Sequence, residues 1–218
     1  MSAVGETHRP PGWLTHLATR ARTVPAGWIS QLLPPEGGGR RASAVLMLFG
    51  PAPDDPCRTS LVLTQRADTL RNHAGQVSFP GGAREEGDPD LVATALREAE
   101  EEIGLDPSGV DVLATFPLLH LAVSDYDVQP VLGWWRRPTP VHARDLAEVS
   151  RVIHARVDDL VDPAHRFRVR HPRGYIGPAF EVDGALVWGF TGMLLDRTLH
   201  LAGIDRPWDP AVVRDLPV

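Results

Sequence analysis

The chain has 218 residues, of which 43% are hydrophobic and 23% are charged, as in a soluble globular domain with a proper core. Its formal net charge of −6 disfavours nucleic acid and anionic membranes as partners, so an anionic small substrate would need arginines or a metal to neutralise it. The single cysteine, Cys57, excludes a cysteine-ligated zinc site, and we expect an exposed thiol in a loop spanning Pro51–Arg58.

The N-terminal residues carry no apolar secretory segment, and no apolar run approaches the roughly 18 residues that span a membrane. We therefore expect a cytoplasmic protein. Residues 1–42 form a lead-in in which Trp13–Ala21 and Trp28–Leu33 predict short helices, before prolines and glycines interrupt the chain. This appendage is expected to cover the main domain or to help a homodimer form. The main domain is expected at 43–205, with a tail at 206–218.

The main domain is predicted to combine strands with two longer helices. Leu91–Ile103 is the clearest helix, because its apolar residues recur at helical spacing and Gly104 follows its end. Phe190–Leu201 predicts a closing helix. Asp183-Gly184 predicts a hairpin turn, and Pro130 predicts an edge strand or a bulge. The predicted strands are Ala44–Phe49, Leu61–Thr64, Val110–Leu118, Val128–Trp135, Val149–His154, Phe167–Arg170, Phe180–Val182 and Ala185–Trp188. This order indicates a mixed α/β sandwich.

Three carboxylates share one face of the helix predicted over Leu91–Ile103. At 100° per residue, Glu98, Glu101 and Glu102 fall within an arc of about 100°, whereas Glu100 points away and is expected to be solvated. Arg97 can pair with Glu101 across one turn. Such a cluster is either an ordinary solvated face or a site for a hard cation, Mg²⁺ or Mn²⁺.

Two observations favour the cation site. The carboxylates lie toward the helix C-terminus, where the helix dipole disfavours negative charge. Gly81 and Gly82 come shortly before the helix, and their lack of side chains lets backbone approach a metal or a phosphate.

The same residues resemble the Nudix box, in which Gly, five residues, Glu and seven residues precede Arg-Glu-apolar-x-Glu-Glu-x-Gly-apolar. The second half matches from Arg97 to Leu105. The first half departs from the pattern, because Asp88 stands where Glu is expected from Gly82, and eight residues separate it from Arg97. The resemblance therefore assigns roles to the three glutamates but none to Asp88.

This departure resembles the coenzyme A diphosphatase branch of the family, which also carries an upstream signature. Here that signature is matched by Val62-Leu63-Thr64-Gln65-Arg66-Ala67, then Arg71, Gly75 and Phe79-Pro80-Gly81-Gly82, with Val62 in place of Leu. Glu148-Val149, Asp162-Pro163 and Val187–Gly192 resemble later blocks of the same branch, so the resemblance covers roughly 43–202.

The resemblance implies an α/β/α sandwich with a mixed β-sheet and a divalent metal, Mg²⁺ or Mn²⁺. Glu101 and Glu102 would be the main metal ligands, and Glu98 would be a further ligand or the base that accepts a proton from water. The implied supporting residues are the Gly81 carbonyl and Glu148 as additional ligands, Arg97 as the residue that orients the carboxylates, and Arg66, Arg71 and Gly82 as substrate contacts.

The implied reaction is hydrolysis of a diphosphate linkage in a small nucleotide derivative. Coenzyme A or an acyl-coenzyme A is the favoured substrate and would yield 3′,5′-ADP and a phosphopantetheine fragment. NADH, a nucleotide sugar or a nucleoside triphosphate is the alternative within the family. A nucleotide-binding regulator without turnover is the alternative from another class. Three mutually repelling carboxylates argue against the regulator, because a binding protein need not keep them.

Overall fold

A computed structural model of the chain describes residues 8–29, 41–69, 73–121 and 125–216. Its helices are α1 Gly12–Ala21, α2 Ala26–Ile29, α3 Leu91–Ile103, α4 Val157–Val161 and α5 Gly189–Ala202. The strands of the larger sheet are β1 Arg41–Ala52, β2 Asp55–Arg66, β3 Val77–Ser78, β4 Gly81–Ala83, β5 Val110–Thr115, β6 Leu119–Leu121, β7 Tyr126–Trp135 and β8 Val149–Arg156. The strands of the smaller sheet are β9 Arg166–Arg170, β10 Ile176–Val182, β11 Ala185–Val187 and β12 Val213–Asp215.

The larger sheet is mixed, as predicted. At its centre β1 and β7 run parallel, while the neighbouring pairs β1–β2, β2–β8 and β5–β7 are antiparallel. Strands β1 and β2 pair between the Phe49–Leu61 pair and the hairpin that joins them. On the other side of the Phe49–Leu61 pair the two strands separate. In the resulting gap β4 pairs with β1 and β3 pairs with β2. The chain from β3 to β4 is therefore inserted into the middle of the sheet.

Alternating side chains of β1 supply two separate cores, one on each face of the sheet. Leu46 and Leu48 pack with the buried face of α3, whereas Met47 and Phe49 pack with α1 and α5. Each side of the sheet is thus covered by helix, which is the predicted α/β/α arrangement. The helix predicted near the N-terminus is an integral part of this packing, because Leu14 and Leu17 are fully buried in the second core.

Several predicted elements need correction. Pro130 does not mark an edge, because β7 has neighbours on both sides, and the register of β7 with β1 passes through Pro130 without a bulge. The Pro130 carbonyl accepts from Phe116 N–H, and the nitrogen and carbonyl of one strand residue point to the same neighbouring strand. The ring nitrogen of Pro130 therefore faces the break between β5 and β6, where an N–H would have no strand partner. The loop predicted around Cys57 is also wrong: this residue lies in β2, although its thiol is exposed as expected.

Other elements agree with the sequence. Asp183 and Gly184 adopt positive φ in the hairpin between β10 and β11, and α3 has the predicted bounds. The helix expected at Trp28–Leu33 begins earlier, at Ala26, and the part of that prediction beyond Ile29 lies outside the described residues. No helix within the described residues is long and apolar enough to span a membrane. The division at 42 and 205 stays a prediction.

Candidate active site

The Gly81-Gly82 segment is held in the gap between β1 and β2. Leu46 N–H donates to the Pro80 carbonyl at 2.8 Å, and β4 continues the pairing with β1. Gly81 has a φ of +155°, and a Cβ placed on it would lie 2.3 Å from the Ala44 carbonyl oxygen. Only glycine fits there, so the segment lies closer to β1 than a residue with a side chain would allow.

Helix α3 is fixed so that its carboxylates face this segment. Asp90 caps its N-terminus by accepting from Ala93 N–H, and Gly104 ends it in the left-handed conformation. Its buried residues are Thr94, Ala95, Ala99 and Ile103. Because these residues point into the core, the side chains of Glu98 and Glu102 project toward Gly82 and Gly81. Glu100 points outward and is exposed, as predicted.

Glu102 and Glu98 are carboxylates in a poorly solvated position. The pKa of Glu102 is raised to about 8, mainly by burial and also by the charges of Glu98 and Glu148. The Gly81 N–H, which donates to Glu102 Oε2 at 3.2 Å, acts in the opposite direction. Burial also raises the pKa of Glu98, whose side chain is 18% exposed. Carboxylates so placed would be stabilised in their charged form by a cation.

Arg97 connects the acidic residues of the site. Its Nη1 donates to Glu101 Oε2 at 3.0 Å, which is the predicted pair across one turn, and its Nη2 donates to Glu98 Oε1 at 3.1 Å. It also donates to the Ala83 carbonyl at 3.0 Å, which joins the helix to β4. Glu101 itself is 58% exposed.

Asp88 holds Arg97 from the opposite side. Its Oδ1 and Oδ2 each accept from Arg97 at 3.0 Å, one from Nε and one from Nη2, in the two-pronged geometry that a guanidinium favours. Asp88 also accepts from Glu85 N–H and from Thr94 Oγ1, each at 2.9 Å. The hydrogen bonds from Arg97 are the largest cause of an Asp88 pKa well below its usual range. Asp88, to which the resemblance assigned no role, therefore supports Arg97.

Arg66 and Glu148 both act electrostatically on Glu102. Arg66 ends β2, and its positive charge lowers the pKa of Glu102. The Glu148 carbonyl accepts from Ala67 N–H at 2.9 Å, which places this loop glutamate beside the end of β2. Arg71, the other predicted substrate contact, lies outside the described residues.

A family model described as NUDIX domain matches residues 39–165, more than half of the chain. The chain belongs to the Nudix family. It is therefore a hydrolase, as the names of its curated relatives also state. A protein of Cronobacter sakazakii named "Uncharacterized Nudix hydrolase NudL" is 42% identical over 178 residues, which are 77% of this chain and 85% of that protein. Nudix hydrolase 22, chloroplastic, of Arabidopsis thaliana is 33% identical over 212 residues, 92% of this chain and 67% of its own length.

Among solved structures, the Nudix hydrolase RenU of M. smegmatis matches 58% of this chain and 80% of its own, with 22% identity and a TM-score of 0.46.

The Nudix site has a donor set that fits a hard divalent cation, because Glu98, Glu101, Glu102 and the glycine segment offer only oxygen. The described residues contain no group of three acidic, histidine or cysteine side chains already gathered around one point. Arg97 accounts for this, since it holds Glu98 and Glu101 by one oxygen each.

Sequence reasoning found the three glutamates, Arg97 and the glycine pair. The structure places Glu98 and Glu102 against the glycine pair, and it joins Glu101 to Arg97. Sequence reasoning missed Thr94, whose hydroxyl fixes Asp88 from inside the helix. The only sequence signal for this contact is a polar residue on the otherwise apolar stripe of α3. The predicted roles of these residues as metal ligands and substrate contacts stay predictions.

Proposed function

We propose that this Nudix hydrolase cleaves the diphosphate linkage of coenzyme A or an acyl-coenzyme A, with Mg²⁺ or Mn²⁺ as cofactor. The observation that carries the diphosphatase part is the buried Glu102 carboxylate, which faces Gly81 beside Glu98 and Glu148. The choice of coenzyme A rests on the signature from Val62 to Gly82, which the sequence shares with one branch of the family.

Glu98, Glu101 and Glu102 would hold the cation, together with the Gly81 carbonyl, and Glu148 is a further candidate ligand. A divalent ion bound there supplies neutralisation of the diphosphate charge and lowers the pKa of a water molecule. Glu98 lies between Gly82 and Arg97, a position that suits either a ligand or the group that accepts the water proton.

Arg97, held by Asp88, would keep Glu98 and Glu101 in position. Arg66 is a cation close enough to Glu102 to lower its pKa, and a guanidinium can pair with phosphate oxygens in a two-pronged manner. Arg71 and the backbone of Gly82 are further proposed contacts for the phosphates. We expect the substrate to be a small nucleotide derivative, and we keep a cytoplasmic homodimer as a prediction.

Turnover of coenzyme A, acetyl-coenzyme A, NADH, ADP-ribose and a nucleoside triphosphate, with products separated by chromatography, tests the proposal. Preferred release of 3′,5′-ADP from coenzyme A supports it. Preferred cleavage of another compound would retain the diphosphatase and refute coenzyme A as substrate. Turnover of none would favour the nucleotide-binding regulator.

Matched glutamine variants of α3 test the proposed ligands. Glu101→Gln and Glu102→Gln should each lower kcat by more than about 100-fold, because a neutral amide is a weak ligand for a hard cation. Glu100→Gln is the control, since Glu100 lies on the same helix but points to solvent. Equal activity of Glu100→Gln and Glu102→Gln would contradict the assigned roles.

A further inference from the structure

A short segment, residues 142–149, begins on the backbone of the helix that carries the glutamates. His142 N–H donates to the Ile103 carbonyl at 3.0 Å, and Arg144 N–H donates to the Glu102 carbonyl at 2.9 Å. Both carbonyls belong to the last turn of α3, whose carbonyls have no partner inside the helix. The segment therefore supplies two of the hydrogen bonds that end α3, and its first half is fixed relative to the site.

The far end of this segment is fixed to the end of β2. Val149, the first residue of β8, pairs with Arg66, the last residue of β2. The register shifts at this point, with Ser150 as the extra residue of a β-bulge, and the Ser150 hydroxyl donates to the Gln65 carbonyl at 3.1 Å. Bulges redirect neighbouring residues and are frequent next to active sites. The backbone of Glu148 is thus held beside Arg66, a proposed substrate contact.

Between these two fixed ends the chain makes one tight turn, and Asp145 shapes it. Asp145 Oδ1 accepts from Ala147 N–H at 2.8 Å. The Asp145 carbonyl accepts from Glu148 N–H at 3.1 Å and from Val149 N–H at 2.9 Å. An aspartate that accepts from the backbone two residues later stabilises such a turn. The position of Glu148 therefore depends on a single side chain three residues before it.

We propose that Asp145 is a positioning residue, which fixes this turn so that the Glu148 carboxylate is presented to the cation site. The proposal rests on the proposed role of Glu148 as a ligand. Glu148 lies close enough for its charge to act on Glu102, which agrees with that role. Because Glu148 is exposed, a turn that is already formed lowers the conformational entropy that the residue loses when a cation binds.

Titration of the metal-free full chain with Mn²⁺, followed by the electron paramagnetic resonance signal of free Mn²⁺, tests the proposal without substrate or turnover. Asp145→Ala should weaken Mn²⁺ binding about three- to tenfold, since it removes the hydrogen bond that closes the turn. Asp145→Asn should bind Mn²⁺ as the wild type does, because its side-chain oxygen still accepts from Ala147 N–H.

Asp209→Ala is the matched control. Asp209 Oδ1 accepts from Ala211 N–H at 2.9 Å, which is the same contact in a turn before β12. Asp209→Ala and Asp145→Ala should lower the melting temperature by similar amounts, but only Asp145→Ala should weaken Mn²⁺ binding. A loss of stability alone would therefore not explain the expected result.

A double variant tests whether Asp145 acts through Glu148. Glu148→Gln should weaken Mn²⁺ binding by itself, and the addition of Asp145→Ala should cause little further loss, because the two changes remove one interaction. Fully additive losses would overturn the proposal. Wild-type Mn²⁺ binding by Asp145→Ala, or equally weak binding by Asp145→Asn and Asp145→Ala, would overturn it as well.

Failure of the proposed function gives a different result from failure of this inference. Unchanged Mn²⁺ binding in both Glu102→Gln and Glu148→Gln would refute the proposed cation site, and the role of Asp145 with it. Weakened binding in Glu102→Gln but not in Glu148→Gln would refute the role of Asp145 alone. A substrate other than coenzyme A leaves all of these Mn²⁺ titrations unchanged.

Discussion

Gly82→Ala should impair catalysis while leaving the fold intact. A Cβ on Gly82 would lie 2.5 Å from Glu98 Cδ, and 2.5 and 2.6 Å from its two carboxylate oxygens. Carbon atoms in contact are normally about 3.5–4.0 Å apart, so the carboxylate has to move by about 1 Å. The structure allows this movement because the contacted atoms end a flexible side chain.

The displacement has a calculable effect on rate and a small effect on stability. A shift of about 1 Å in a catalytic group can cost about 100-fold in rate, and here it also disturbs the hydrogen bond from Arg97 Nη2 to Glu98. The free energy of unfolding should change by less than about 1 kcal/mol, because side-chain strain is offset by the lower entropy of the unfolded alanine chain.

Gly87→Ala is the matched control, since a Cβ there meets no atom within 4 Å. The two variants should have similar melting temperatures, and kcat with Mg²⁺ should fall only in Gly82→Ala. Gly81→Ala should unfold readily, because its Cβ meets the Ala44 backbone. If Gly82→Ala and Gly87→Ala turned over substrate within threefold of each other, the position of Glu98 would not matter for catalysis, and the reasoning would be refuted.

Three further changes test the supports of the site. Asp88→Asn should lower kcat by releasing Arg97, and it should also lower the free energy of unfolding at pH 7 more than at pH 3, as urea titrations at both pH values would show. The sign follows from the depressed pKa of Asp88, whose contribution is present above the unfolded pKa and lost as the pH falls through the folded one. Gly104→Ala should lose about 1–2 kcal/mol in urea unfolding, because its φ is +71°. Phe79→Ala should lose about 3–5 kcal/mol in the same assay, because it empties a buried position.

Each of these has an outcome that would contradict it. Equal loss of stability in Asp88→Asn at both pH values would mean that the charge of Asp88 does not support the fold. Wild-type stability of Gly104→Ala would show that α3 can end without the left-handed residue. A small loss in Phe79→Ala would mean that the core beneath the glycine segment collapses to fill the space.

The elements that could be predicted are those fixed by local pattern. The bounds of α3 follow from apolar spacing and a glycine stop, and the Asp183-Gly184 turn follows from the backbone freedom of those two residues. The placement of Glu98, Glu101 and Glu102 on one face of α3 likewise follows from helix geometry alone. The edge position inferred from Pro130 failed because a missing N–H can also be accommodated where a neighbouring strand is interrupted.

The role of Asp88 could not be predicted because it depends on contacts across the fold. Counting residues showed that Asp88 and Arg97 are separated by one residue more than in the family pattern. The count does not show which contacts this additional residue allows. In the structure the chain between Gly82 and Asp90 brings the carboxylate back to Arg97, where it makes a two-pronged contact.

The contacts of Arg97 explain how three like charges share one face of α3. Arg97 contacts Glu98 and Glu101, and Asp88 balances the guanidinium from behind. Glu102 lies beyond the reach of these contacts, is more deeply buried, and faces Gly81. The repulsion among the three carboxylates is therefore largely relieved at Glu98 and Glu101 and retained at Glu102. A bound cation would therefore relieve the most repulsion at Glu102. Replacing Glu102 by glutamine should lower activity more than the same change at either of the other two glutamates.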